Sequence, residues 1–111
     1  MAAELSVEAL RAEIDGIDEV LVRLLDRRAR CAYAIGRVKH ADGRPVYEPS
    51  RETSVIAHVR RVNAALDGPL DDDAIVRLFE RVIDEARRIQ RIEAEGGGPP
   101  AERIAPRIDE A

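Results

Sequence analysis

The run Ser6 to His40, SVEALRAEIDGIDEVLVRLLDRRARCAYAIGRVKH, decides the fold. Leu10, Ile14, Ile17, Leu21 and Leu24 recur at spacings of four and three, and Cys31, Ile35 and Val38 continue the series. Such a spacing is a heptad seam along one side of an α-helix. Ser6 suits the N-cap, and Glu8 suits the positive end of the helix dipole. Gly16 and Gly36 weaken the helix only slightly, and nothing stops it before Asp42-Gly43. A helix from about residue 6 to about 40 is roughly 50 Å long at 1.5 Å per residue.

Two shorter helices follow. Pro49-Ser50 opens the second, since Pro favours the first turn. Its apolar positions are Val55, Ile56, Val59, Val62 and Leu66, and Asp67-Gly68-Pro69 ends it. Asp71, Asp72 and Asp73 start the third with charges that suit a helix N-terminus. It continues through Ile75, Leu78, Phe79, Val82, Ile83, Ala86 and Ile89 to about Glu95. Residues 1–95 therefore read as one all-α domain. The remainder, GGGPPAERIAPRIDEA at 96–111, is rich in helix breakers and is expected to be a mobile tail.

The first helix is too long for its companions. A compact domain of about 100 residues has a radius of gyration near 13 Å. Neither short helix covers a seam of about 50 Å. A second copy of the chain does, so the pattern predicts a dimer with the long helices packed together; a monomer with a bent first helix is the alternative.

Composition narrows the function. Hydrophobic residues make up 45% of the 111 and charged residues 36%, while Tyr33, Tyr47 and Phe79 are the only aromatics, so Leu, Ile, Val and Ala must build the core. A net charge of −4 argues against nonspecific nucleic-acid binding. No apolar run reaches the roughly 20 residues that cross a bilayer, and the N-terminus lacks a secretion signal. Cys31 is the only cysteine, which excludes an intrachain disulfide and, with two separated His residues, leaves no zinc cluster. Cytoplasmic localisation without metal or cofactor is the expectation.

Polar residues interrupt the apolar faces. Between Leu24 and Cys31 the seam position is Arg28. Lys39 lies eleven residues later, about three turns and 16 Å along the axis, on nearly the same face. It is the only lysine among 18 basic residues. On the third helix Gln90 falls on the apolar side, seven residues after Ile83. A buried amide without partners is costly. Most of the 17 arginines, including Arg60, Arg61, Arg77, Arg81, Arg88 and Arg91, read as solvated surface charges. Arg28 reads either as a pocket residue or as a buried stem with its head in solvent. Gln90 reads either as a ligand group or as a core amide, and Glu52 either as a site carboxylate or as a first-turn partner of the helix dipole. Taken together, the spacing predicts a helical dimer with a partly buried cationic pocket. Such a pocket suits a small anion carrying more than one carboxylate or phosphate.

The ordered patterns L-R-x-E-I-D-x-I-D-x-x-L-x-x-L-L-x-x-R at 10–28, A-I-G-x-V-K at 34–39, P-V-Y-E-P-x-R-E at 45–52 and I-x-x-L-F-x-x-V-I-x-x-A-R-x-x-Q at 75–90 resemble the all-helical chorismate mutase family. The resemblance implies an intertwined homodimer of three-helix protomers that rearranges chorismate to prephenate on the way to phenylalanine and tyrosine. It implies a site lined by Arg28, Lys39, Glu48, Arg51, Glu52, Ala86 and Gln90 of one protomer, with Arg11 entering from the other. Geometry agrees about Arg11: 17 residues from Arg28, its side chain points roughly 100° away around the helix. Two positions depart from the family pattern. Ala86 stands where a small hydroxyl residue is frequent, and Glu48 where Asp is common.

The implied chemistry is a unimolecular [3,3] rearrangement. It needs no nucleophile, metal or proton transfer, and the sequence offers no convincing nucleophile–base pair. Arg11 and Arg28 would hold the two carboxylates in fork geometry. Lys39 would supply a compact cation to the ether oxygen as charge grows there, with Gln90 donating a second hydrogen bond. Glu52 would accept from the ring hydroxyl, and Arg51 would brace the charged groups. Isochorismate-pyruvate lyase and 4-amino-4-deoxychorismate mutase are alternatives on the same fold. A noncatalytic helical dimer, serving as scaffold or regulatory subunit, is the alternative of another class. Some small members of the family are activated by the first enzyme of the shikimate pathway, so such a partner is a further expectation.

Overall fold

A computed structural model describes residues 5–98 and 100–106. Helix α1 spans Val7–Ala41, α2 spans Pro49–Leu66 and α3 spans Asp72–Ala94. No strand occurs among the described residues. The expected helix limits agree with these to within one or two residues, because each end carries its own stop signal.

Ser6 caps α1, its hydroxyl accepting from the Ala9 N–H at 3.0 Å. Asp71 caps α3 in the same way, accepting from the Ala74 N–H at 2.7 Å. Each side chain satisfies one of the backbone donors that a helix start leaves unpaired. Helix α2 starts on Pro49 without a side-chain cap, because the carboxylate of Glu48 turns elsewhere. Asp67 ends α2 in the left-handed region at φ 49°, and Asn63 ties the following turn by donating to the Leu70 carbonyl at 2.8 Å and to Asp72 at 2.9 Å. Arg60 bridges α2 to Asp73 at 3.0 Å on the surface.

Helix α3 lies between the other two, packing on both, while α1 and α2 do not pack on each other. The buried residues of α1 are Ala32, Tyr33, Gly36 and Lys39, of which Gly36 and Lys39 meet Gln90 of α3. Small residues let the axes approach: a Cβ on Gly36 would stand 3.2–3.3 Å from three atoms of Gln90. The heptad seam is not this face. Leu10, Ile14, Ile17, Leu21, Leu24, Ile35 and Val38 remain 46–53% exposed.

The chain is accordingly elongated, 59 × 29 × 22 Å with a radius of gyration of 17.4 Å. That exceeds the roughly 13 Å of a compact domain this size. The excess comes from the N-terminal half of α1, whose Val20 and Leu25, beside the seam, are also about half exposed. No helix among the described residues is long and apolar enough to cross a membrane.

Of the tail at 96–111, residues 99 and 107–111 lie outside the described residues. In the described part Ala101–Ile104 form a 3-10 turn beside α1, and Arg30 donates to the Arg103 carbonyl at 3.0 Å.

Candidate active site

Because α2 stands off α1, a cleft of about 350 Å³ opens between them with α3 as its floor. Seven of the eight expected site residues line it: Arg28, Lys39, Glu48, Arg51, Glu52, Ala86 and Gln90. Arg11 does not. It stands exposed on α1, 17 residues and about 25 Å along the axis from Arg28.

Lys39 is 5% exposed and sits where all three elements converge. Its ammonium donates to the Val46 carbonyl at 2.9 Å and to Gln90 Oε1 at 3.3 Å, and it pairs with Glu48 Oε1 at 2.8 Å. The return of the chain makes this possible. Gly43 adopts φ 69°, the Arg44 N–H bonds back to the Lys39 carbonyl at 2.8 Å, and residues 46–48 then fold over the lysine head. Glu48 is thereby taken from capping α2. The hydrogen bond and charge of Lys39 hold its carboxyl below the ordinary value of 4.5, with Arg44 and Arg51 adding to the effect against partial desolvation.

Gln90 is buried, so its amide needs partners. Since its oxygen accepts from Lys39, its NH₂ group is the remaining donor of the pair on the cleft wall. The partner of its oxygen is a lysine side chain on the cleft wall and not backbone.

Arg28 is half-buried, and its guanidinium pKa is lowered, first by desolvation and then by the charge of Arg51. Among the described residues neither Arg28 nor Arg51 has a carboxylate within 4 Å. Two guanidiniums in one cleft have the charge and fork geometry that suit carboxylates.

Glu52 is not simply a helix-dipole partner. Arg87 of α3 reaches across to it, Nη2 to Oε1 at 2.6 Å and Nε to Oε2 at 3.3 Å. Arg87 also lines the cleft and was not among the expected site residues. Its one signal in the sequence is its place three residues before Gln90, which puts both on neighbouring parts of one helix face. No group of three or more metal-ligating side chains occurs among the described residues.

The family model for chorismate mutase type II matches residues 10–91, and the chain belongs to that family. Over 96 residues it is 34% identical to a bifunctional chorismate mutase/prephenate dehydratase of Pseudomonas aeruginosa, covering 82% of this chain and 26% of that protein. Over 86 residues it is 40% identical to the T-protein of Enterobacter agglomerans, covering 78% of this chain and 22% of that one. It is also 31% identical over 90 residues to a 4-amino-4-deoxychorismate mutase of Streptomyces venezuelae, covering 81% of this chain and 85% of that protein. The chain thus spans about a quarter of the length of the first two relatives and most of the length of the third.

Proposed function

We propose that the chain is a chorismate mutase, an isomerase that rearranges chorismate to prephenate in aromatic amino acid biosynthesis. One observation carries the reading: the buried Lys39–Gln90 pair shares a cleft with Arg28 and Arg51, two guanidiniums with no carboxylate within 4 Å among the described residues. The two arginines suit the substrate's carboxylates and would hold it in the folded chair that brings its reacting carbons together. Lys39 Nζ and the Gln90 amide would then face the ether oxygen, whose negative charge grows as the C–O bond breaks ahead of C–C bond formation. Lys39 already has three acceptors for three protons, so a ligand oxygen must share or replace one. Glu48 is the replaceable partner, its side chain being 42% exposed while Gln90 is buried.

On this reading residues 1–95 carry the site and 96–111 lie outside it. The working form is an intertwined homodimer with Arg11 supplied in trans. The exposed apolar side of α1 and the roughly 25 Å between Arg11 and Arg28 support that arrangement. Lacking a hydroxyl, Ala86 would leave one ligand carboxylate contact unmade.

The test is the loss of chorismate's ultraviolet absorbance on incubation with the purified dimer, with the product identified as prephenate by chromatography. The assay is run alone and with the first enzyme of the shikimate pathway added, so that an activating partner registers as a rise in rate. Chorismate left intact in both arms sinks the proposal. The Streptomyces relative, similar over most of its length, favours 4-amino-4-deoxychorismate as the second substrate to try. A noncatalytic scaffold gives no reason for a buried lysine and amide on the wall of a cationic cleft.

A further inference from the structure

Helix α3 brings a fourth cation to the cleft. The residues lining it include Arg28, Lys39, Arg51 and Arg87 against only Glu48 and Glu52. Arg87 is tied down from three sides. Its fork takes both oxygens of Glu52 at 2.6 and 3.3 Å, its guanidinium carbon stands 5.0 Å from the centroid of the Tyr47 ring, and Asp84 lies 3.8 Å from Nη1. Arg87 and Glu52 are each about a third exposed at the side chain, so neither is fully screened by water. The bond to Glu52 raises the guanidinium pKa above its ordinary value.

We propose that Arg87 determines specificity: by clamping and neutralising the carboxylate of Glu52, it tunes that acceptor to a ring hydroxyl and against an ammonium at the same ring position. The inference rests on reading the cleft as a chorismate site with Glu52 facing the ring hydroxyl. A carboxylate has about four lone-pair positions, and the fork uses one on each oxygen. What remains accepts a hydrogen bond from a neutral O–H. The net charge that would attract an ammonium is cancelled by the guanidinium, and the cleft's surplus of cations then repels it. Without Arg87, Glu52 is a bare carboxylate and the preference shifts toward the ammonium. Arg87 itself is placed to act through Glu52 and not on the reacting atoms.

The experiment measures kcat/KM for chorismate and for its analogue with an amino group in place of the ring hydroxyl. It uses the dimer of the wild type and of Arg87→Met, Arg87→Gln and Arg87→Lys. The expected amino-to-hydroxyl ratio rises on the order of tenfold in the Met and Gln variants, because the charge is gone. It stays near the wild-type value in the Lys variant, which keeps the charge and loses the fork. If Met does not fold, as judged by thermal melting, Gln carries the test, since it keeps one donor to Glu52. A purely structural Arg87 lowers both substrates in proportion and leaves the ratio unmoved, which overturns the inference while the chorismate reading stands. A wild type that consumes chorismate in neither the absence nor the presence of the pathway's first enzyme overturns both.

Discussion

Lys39 and Gln90 meet at 3.3 Å because Gly36, one turn before the lysine, has no side chain. The missing Cβ lets α1 close on α3 at the residue whose amide the lysine holds. The contact ties a backbone requirement to the proposed chemistry, since the same approach sets the distance between the two donors.

Gly36→Ala tests that tie. Three atoms of Gln90 lie 3.2–3.3 Å from the new methyl, so the Gln90 backbone and side chain must move by a few tenths of an ångström. Helix propensity favours Ala by about 1 kcal/mol. Overpacking opposes it by about 1–3 kcal/mol. The melting temperature should therefore change little or fall modestly, while kcat falls about tenfold, since small misplacements of positioned groups cost rate steeply. Steady-state kinetics beside a thermal melt check this. Unchanged kcat would mean that the close approach has no bearing on Gln90's role.

Lys39→Ala removes the buried cation from the cleft. Loss of one preorganised donor typically lowers kcat by about 10²–10³. The helices and the exposed α1 surface are untouched, so circular dichroism and the elution volume in size-exclusion chromatography should match the wild type. Turnover close to normal contradicts the assigned role.

Arg28→Leu separates binding from stability. The guanidinium is partly desolvated beside Arg51 and lacks an ion-pair partner among the described residues. Replacing a buried cation by an apolar group is often neutral or stabilising. The expected outcome is an equal or higher melting temperature with activity lost. A large drop in melting temperature would make Arg28 a structural residue.

Much of this was legible in the sequence, for identifiable reasons. The limits of α1, α2 and α3 follow from local chemistry at Ser6, Gly43, Pro49, Asp67 and Asp71, where caps and breakers act within a few residues. Arg28, Lys39 and Gln90 stand out because they break apolar patterns that a helix repeats predictably. Arg87 does not stand out. It is one arginine among 17, and its partner Glu52 is 35 residues away on another helix, so only the packing of α2 on α3 reveals the pair. The seam was readable as an apolar side, yet its position did not tell that Ala32, Tyr33 and Gly36 would be buried instead, with Gly36 against Gln90 of α3. That choice depends on how closely two backbones approach, which the heptad count does not contain.

Glu48→Gln probes the Lys39–Glu48 pair by pH. The folded-state pKa of Glu48 is depressed, so its contribution to stability is fully present above the unfolded value, near 4.5. It is lost as pH falls through the lower folded value. The wild type should therefore melt higher than Glu48→Gln at pH 6 and 7 by a constant margin, and the margin should shrink below about pH 4.5. Melting curves at half-unit pH steps read this directly. A margin that persists at pH 2 would place the effect of the substitution in packing and not in the ion pair.

Subunit exchange addresses Arg11. Arg11→Ala and Lys39→Ala are each expected to be inactive, and neither residue contacts the other within one chain. If Arg11 serves the partner's cleft, a heterodimer of the two variants contains one cleft with both defects and one with neither. Mixing them under conditions that allow exchange should then restore up to about a quarter of the wild-type activity: random pairing makes half of the dimers mixed, and each of those has one intact site of two. Native mass spectrometry of differently tagged chains confirms that exchange has taken place. If the mixture stays inactive after proven exchange, each site draws its groups from one chain, and the roughly 25 Å between Arg11 and Arg28 along α1 then excludes Arg11 from the cleft altogether.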